Sequence, residues 1–213
     1  MRLGDIDEDE IVLASEKVEE EKQKETKSTS RLHPVVKTII EYLMVVAIGA
    51  LIAVFLTQVV IVNAVVPTGS MKDTISEGDR LIGLRLTYYF DTPKRGDVVI
   101  FKCPEEGSNY DKLFVKRVIG LPGETVKIEA GRVLICTEEN PDGWYLEEEY
   151  LREIPNAALA VNNASYTIPE GCYFTLGDNR NQSHDSRFWG VVEEDRILAK
   201  VMFKYYPNIQ TIK

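Results

Sequence analysis

From Tyr42 to Met71 the chain carries no Asp, Glu, Lys or Arg. A run of this kind excludes an ordinary amphipathic surface helix, which needs a polar face. Its apolar part, Leu43 to Asn63, is 21 residues. As a helix that length spans about 30 Å, the hydrocarbon thickness of a bilayer. Thr57, Gln58 and the terminal Asn63 are its distinctly polar residues. A long polar stretch precedes it, unlike the short apolar region near the N-terminus of a cleaved secretory signal. The run therefore reads as a single membrane anchor.

The anchor divides the chain into three expected regions. Residues 1–37 are rich in Glu, Lys and Ser and poor in aromatics, a composition that buries too little apolar surface to offset chain entropy. A charged, disordered tail is expected there, followed by the anchor over residues 38–66. Residues 67–213 are long enough for one cored domain. Lys22, Lys24, Lys27, Arg31 and Lys37 precede the span, whereas Lys72, Arg80 and Arg85 follow it among Asp73, Glu77 and Asp79. This basic bias favours a cytoplasmic N-terminus and an extracytoplasmic C-terminal domain.

The net charge of −9 argues against a nucleic-acid-binding surface. Cys103, Cys136 and Cys172 are widely spaced, allowing at most one intramolecular disulfide and showing no metal-ligand spacing. With His33 and His184 as the only histidines, no metal site and no cofactor are expected.

The C-terminal region reads as mainly β, a barrel or sandwich of short strands separated by Gly and Pro turns. Strands are expected over Asp79–Leu84, Gly96–Phe101, Lys112–Ile119, Thr125–Glu129, Arg132–Cys136, Tyr166–Ile168, Tyr173–Leu176 and Ile197–Tyr206. Ala130-Gly131 reads as a tight hairpin turn, and Leu121–Glu124 and Asn140–Gly143 as turns. Glu147 to Glu153 has the composition of a short helix. In Lys112–Ile119 alternation places Phe114, Lys116 and Val118 on one face.

Pro67-Thr68-Gly69-Ser70-Met71 follows the apolar run directly. A serine hydroxyl is a weak nucleophile until a base lies within hydrogen-bond reach. His184 is the histidine on the same side of the anchor. Lys116 is the other candidate base, because apolar surroundings disfavour its charged form. Arg117 stays protonated and cannot serve. The segment Gly177 to Gly190 is dense in hydrogen-bonding side chains. If extended, it sets Ser183, Asp185 and Arg187 on one face and His184 on the other. Asp185 and Arg187 can then pair to fix the segment, leaving Ser183 to orient a lysine.

Three segments resemble, in order, the signature boxes of bacterial type I signal peptidases, membrane-anchored Ser-Lys proteases. They are Pro67–Met71, Phe114–Glu124, and Gly177-Asp178-Asn179-Arg180 through Ser183, Asp185-Ser186-Arg187 and Gly190. Gly78-Asp79 and Arg95-Gly96-Asp97-Val98-Val99 are also similar to the family's pattern. The resemblance implies a signal-peptidase-like β-barrel or sandwich domain behind one transmembrane helix. Its implied activity is cleavage of signal peptides from exported preproteins. It implies Ser70 as nucleophile, Lys116 as general base, and an oxyanion hole formed by the Thr68 hydroxyl and the Ser70 N–H. Ser183, Asp185, Arg187 and Asp178 would support the site. Val66, Met71, Ile75 and Val115 would line small apolar substrate pockets. The implied partners are signal peptides, the lipid bilayer and a nearby secretion translocon. Asp73 departs from the family's usual proline before Thr74 and is expected to loosen the turn after the nucleophile. A processing peptidase of narrower clientele and a non-catalytic peptide-binding β module are the alternatives. The presence of both Ser70 and Lys116 counts against the latter.

Overall fold

The computed structural model describes residues 33–72, 74–102, 112–151, 153 and 164–212. The expected N-terminal tail up to residue 32, Asp73 and Cys103 lie outside the described residues. The chain forms two units, divided between Ala53 and Val54.

The first unit contains most of a 22-residue helix, α1 (Pro34–Phe55), none of whose residues is buried. Pro34 opens it, a position where a missing N–H costs nothing. A π-helical turn, Leu56–Val60, extends it and is closed by the Ile61 N–H donating to the Leu56 carbonyl. Together they make one 27-residue segment long and apolar enough to cross a membrane.

Helical structure ends before the apolar run does. Ile61–Val65 is a strand, β1, paired antiparallel with β2 (Arg80–Leu84) in the register Ile61↔Leu84 to Val65↔Arg80. Val62 and Val66 are buried while Asn63 and Val65 are exposed, the period of two that a strand imposes. Residues assigned to the anchor by hydrophobicity therefore belong to the β unit from Ile61 onward. The core and the helix exterior call for the same residue types, so composition alone does not separate them.

The β unit is mainly β, as expected, and all of its paired strands among the described residues run antiparallel. One sheet has the order β1-β2-β11-β3-β4-β9-β10, where β11 is Ile197–Tyr206, β3 Val98–Lys102, β4 Leu113–Gly120, β9 Cys172–Leu176 and β10 Val192–Glu193. A short strand, β12 (Gln210–Thr211), pairs with β11. The second sheet is β7-β6-β5-β8, formed by Trp144–Tyr145, Arg132–Cys136, Thr125–Glu129 and Ala164–Thr167. The β5–β6 hairpin turns at Ala130 and Gly131, both in the left-handed region at φ 49° and 80°, which suits a two-residue primed turn.

Strand β3 is covered on both faces. Val98 and Ile100 join one core with Leu81, Ala199 and Val201, while Val99 and Phe101 join another with Val118, Tyr173 and Val192. A third core draws Ile119, Phe174 and Leu176 from the first sheet and Val126, Val133 and Ile135 from the second. Because a buried apolar side chain contributes about 1.5–3 kcal/mol, this third core holds the two sheets together.

The short helix expected over Glu147–Glu153 does not form. Its described residues, 147–151 and 153, carry no helix and turn at Glu149-Tyr150. Glu148 is drawn instead into a buried ion pair with Arg180, and Tyr150 donates to Glu148 at 2.6 Å. Tertiary partners override the local preference of a glutamate-rich segment.

Candidate active site

Ser70 lies in a single 3₁₀ turn, Gly69–Met71, whose end is tied by the Lys72 N–H donating to the Gly69 carbonyl at 3.0 Å. Lys116 sits on β4 opposite Val99 of β3. Its Nζ donates to Ser70 Oγ at 2.7 Å and to the Val115 carbonyl at 3.0 Å. Both residues are buried, Ser70 at 8% exposure and Lys116 at 2%. The Phe114 ring lies on the Lys116 side of the strand, its centroid 5.5 Å from Nζ, as alternation along the strand requires.

Burial pulls the Lys116 ammonium down from 10.5 to about 8, against the opposing charges of Asp185 and Asp178. A substantial fraction of the amine is therefore neutral in mildly basic solution and able to accept the Ser70 proton. His184, the other candidate base, is exposed and packs against Phe188 and Trp189, with ring centroids 4.9 Å away in each case. It is not the group bonded to Ser70.

The acidic residues whose charge reaches Lys116 are each held by an arginine. Asp178 accepts from Arg117 Nε at 2.9 Å and Nη2 at 2.7 Å, and from Thr74 Oγ1 at 2.6 Å. Arg117 also donates to the Gly96 carbonyl at 2.7 Å and lies 4.0 Å from the Tyr150 ring centroid. Asp185 accepts from Arg187 Nε at 2.8 Å and Nη2 at 2.9 Å, and from the Gly177 N–H at 3.1 Å. The expected Asp185–Arg187 pair is present and fixes the segment, since Arg187 Nη2 also donates to the carbonyls of Arg180 and Ser183.

The remaining expected residues are placed as follows. Thr68 Oγ1 stands 3.5 Å from Ser70 Oγ on extended backbone. Ser183 is buried beside Gly177, but its Oγ has no hydrogen-bond partner, so the bond expected to Lys116 is not made. Val66, Met71 and Ile75 are buried in one apolar cluster, and half-buried Val115 packs against it. Met71 and Ile75 have no exposed surface. Among the described residues no group of three or more His, Cys, Asp or Glu is placed to hold a metal ion, and Cys136 and Cys172 are free thiols.

Three contacts were not anticipated. Asn179 donates from its backbone N to the Ser70 carbonyl and from Nδ2 to the Gly69 carbonyl, each at 3.0 Å. Gly177 packs so closely that a Cβ there would overlap the Ser70 carbonyl oxygen and Ser183. Glu148, from the loop after the second sheet's edge strand, pairs with Arg180, whose Nε in turn donates to the Gly177 carbonyl at 3.1 Å. Asn179 was signalled by the polar density of Gly177–Gly190 and by its place in the third signature segment, without its role; Glu148 carried no signal.

Comparison with known proteins gives the chain's family. Residues 39–206 match the family described as signal peptidase, peptidase S26. A signal peptidase I from Leptolyngbya laminosa is 38% identical over 146 residues, 67% of each chain. A probable signal peptidase I-1 from Synechocystis is 37% identical over 146 residues, covering 67% of this chain and 69% of its own. The signal peptidase I of Bacillus licheniformis is 30% identical over 184 residues, 86% of this chain and 95% of its own. A crystal structure of an Enterococcus faecalis signal peptidase I overlaps 52% of this chain and 97% of its own at 31% identity, with a TM-score of 0.40, too loose to compare folds. The family match takes in the turn of Ser70, the strand of Lys116 and the polar segment behind them, and the chain belongs to the signal peptidase family, peptidase S26.

Proposed function

We propose that this chain is a membrane-anchored serine endopeptidase that removes N-terminal signal peptides from exported preproteins, with Ser70 as nucleophile and Lys116 as general base. The observation that carries the reading is the 2.7 Å contact between Lys116 Nζ and Ser70 Oγ inside a buried site.

The chemistry follows from that contact. Neutral Lys116 takes the Ser70 proton as Oγ bonds to the scissile carbonyl carbon, and the carbonyl π electrons move onto oxygen. The Ser70 N–H and the Thr68 hydroxyl donate to that oxyanion, where fixed donors act most strongly. On collapse, the C–N bond breaks and the Lys116 ammonium gives its proton to the departing amine. Lys116 then takes a proton from a water molecule as the water oxygen bonds to the acyl carbon, and returns that proton to Ser70 Oγ as the ester C–O bond breaks. Asp178 with Arg117 and Asp185 with Arg187 hold the backbone around the pair. The apolar cluster of Val66, Met71, Ile75 and Val115 backs the substrate positions one and three residues before the cut, favouring small side chains.

In this reading residues 1–37 form a cytoplasmic tail, the span expected over residues 38–66 crosses the bilayer with its helical part up to Val60, and residues 67–213 with β1 form the extracytoplasmic peptidase domain. Its work lies beside the secretion translocon, where preproteins emerge. The test is cleavage of a preprotein by the full-length chain in phospholipid vesicles. Ser70→Ala and Lys116→Ala are expected to abolish it, and cleavage retained in either variant overturns the assignment of that residue.

A further inference from the structure

The structure assigns Asn179 a task beyond holding the loop: we propose that it is a positioning residue for the oxyanion hole, setting the direction of the Ser70 N–H. The proposal rests on the reading of Ser70 as nucleophile.

The Gly69 carbonyl and the Ser70 N–H belong to one planar peptide unit. In a trans peptide they point in opposite directions, and rotating one rotates the other. The cis peptide among the described residues is at Tyr206-Pro207, so this unit is trans. Its carbonyl end is held by two donors, Lys72 N and Asn179 Nδ2, each at 3.0 Å. The Lys72 bond is internal to the turn and moves with it. The Asn179 bond comes from 110 positions away in sequence and ties the peptide to the polar segment behind the site. Because the Gly69 carbonyl only accepts, the amide nitrogen of Asn179 must face it.

The next peptide is held as well. The Asn179 backbone N–H donates to the Ser70 carbonyl at 3.0 Å, and Gly177 is packed against that same oxygen. Asn179 therefore grips the peptides on both sides of the Ser70 Cα. The Ser70 side chain is fixed independently by Lys116 at 2.7 Å. Loss of the Asn179 amide frees the Gly69–Ser70 peptide to rotate without disturbing the Ser-Lys contact. What weakens is the alignment of a donor that matters only once the carbonyl oxygen becomes an anion.

The test uses the full-length protein in vesicles with a preprotein substrate, comparing wild type, Asn179→Ala and Asn179→Asp. The aspartate keeps the shape and the backbone bond but replaces the side-chain donor with an acceptor. The expected result is a kcat lowered about 10- to 100-fold in both, the range approaching loss of one oxyanion donor. KM should stay within about twofold, and in Asn179→Ala, which adds no charge, the pH at which Lys116 titrates should not move, because substrate contacts and the charges around the lysine are untouched. Affinity for a peptide boronic acid, which forms a tetrahedral adduct on Ser70, should fall in parallel with kcat. Wild-type kcat in Asn179→Asp overturns the proposal, as does a loss confined to KM or a displaced Lys116 titration in Asn179→Ala. If both variants fail to fold, Asn179 serves the fold and the proposal is also overturned. Ser70→Ala is the control: cleavage by that variant overturns the reading of Ser70 and this inference with it. Inactive Ser70→Ala beside fully active Asn179 variants overturns this inference alone.

Discussion

Gly177 lies directly against the carbonyl oxygen of Ser70, leaving no room between them for even a methyl group. The same missing methyl would meet Ser183 Cβ at 2.6 Å. Backbone on one side and a buried side chain on the other give it nowhere to go. Gly177→Ala is therefore expected to displace the Ser70 turn. A shift near 1 Å at the reacting group lowers kcat by about 100-fold, while overpacking costs about 1–3 kcal/mol of stability. Single-turnover cleavage together with a thermal melt checks both; near-normal turnover in a folded variant contradicts the packing argument.

Lys116 predicts the pH profile. Its folded pKa, drawn down to about 8 by burial, sets the rise of kcat/KM: activity climbs with pH up to about 8 and levels off above it. The rate profile measured from pH 6 to 10 is the check, and a flat profile through that range contradicts Lys116 as the base.

The same residue lowers stability at neutral pH. Between about 8 and 10.5 the unfolded chain holds a proton on Lys116 that the folded chain has lost. Stability therefore rises with pH through that window, and below about 8 the folded state carries the full penalty, on the order of 3 kcal/mol. Lys116→Met, which cannot ionise, is expected to melt higher than wild type at pH 7, with the gap closing toward pH 10.5. Equal melting temperatures at pH 7 contradict the burial cost.

Asp178 and Arg117 are both nearly inaccessible, at 1% and 2% side-chain exposure. Asp178→Ala removes the carboxylate that accepts two bonds from the buried Arg117, and breaking a buried pair by removing one partner costs about 3–5 kcal/mol. Denaturant unfolding of the variant is the measurement; a loss below about 1 kcal/mol indicates that the pair behaves as a surface bridge.

Thr68 predicts a narrower effect. Removing its hydroxyl in Thr68→Val should lower kcat by about 100- to 1,000-fold if that oxygen is an oxyanion donor, with little change in stability. Thr68 is exposed, so the fold does not depend on it. Steady-state kinetics with an unchanged kcat would remove Thr68 from the oxyanion hole.

The sequence made the strands and turns of the β unit legible because their signals are local. Ala130-Gly131 announces its hairpin, and alternation through Phe114, Lys116 and Val118 places the lysine on its face. The Ser70–Lys116 pair was legible through motif resemblance rather than spacing, since 46 positions separate the two. What escaped was nonlocal. Glu148 looks helical until Arg180 claims it, and Ser183 looks like the lysine's partner until its Oγ is found packed beside Gly177. Asn179 reads as one polar member of the third signature segment until its two donors meet consecutive carbonyls of the Ser70 turn.

Strand β1 changes the ruler by which the nucleophile is located. Counted along the sequence, Ser70 stands a few residues beyond an apolar run. Counted in hydrogen bonds, it stands five residues past Val65, which the pairing with Arg80 locks in register. Residues added to or removed from α1 shift nothing downstream of Ile61, because sheet pairing resets the count there. Ser70 is thus addressed from its own sheet, and the helix is free to vary in length without retuning the site around it.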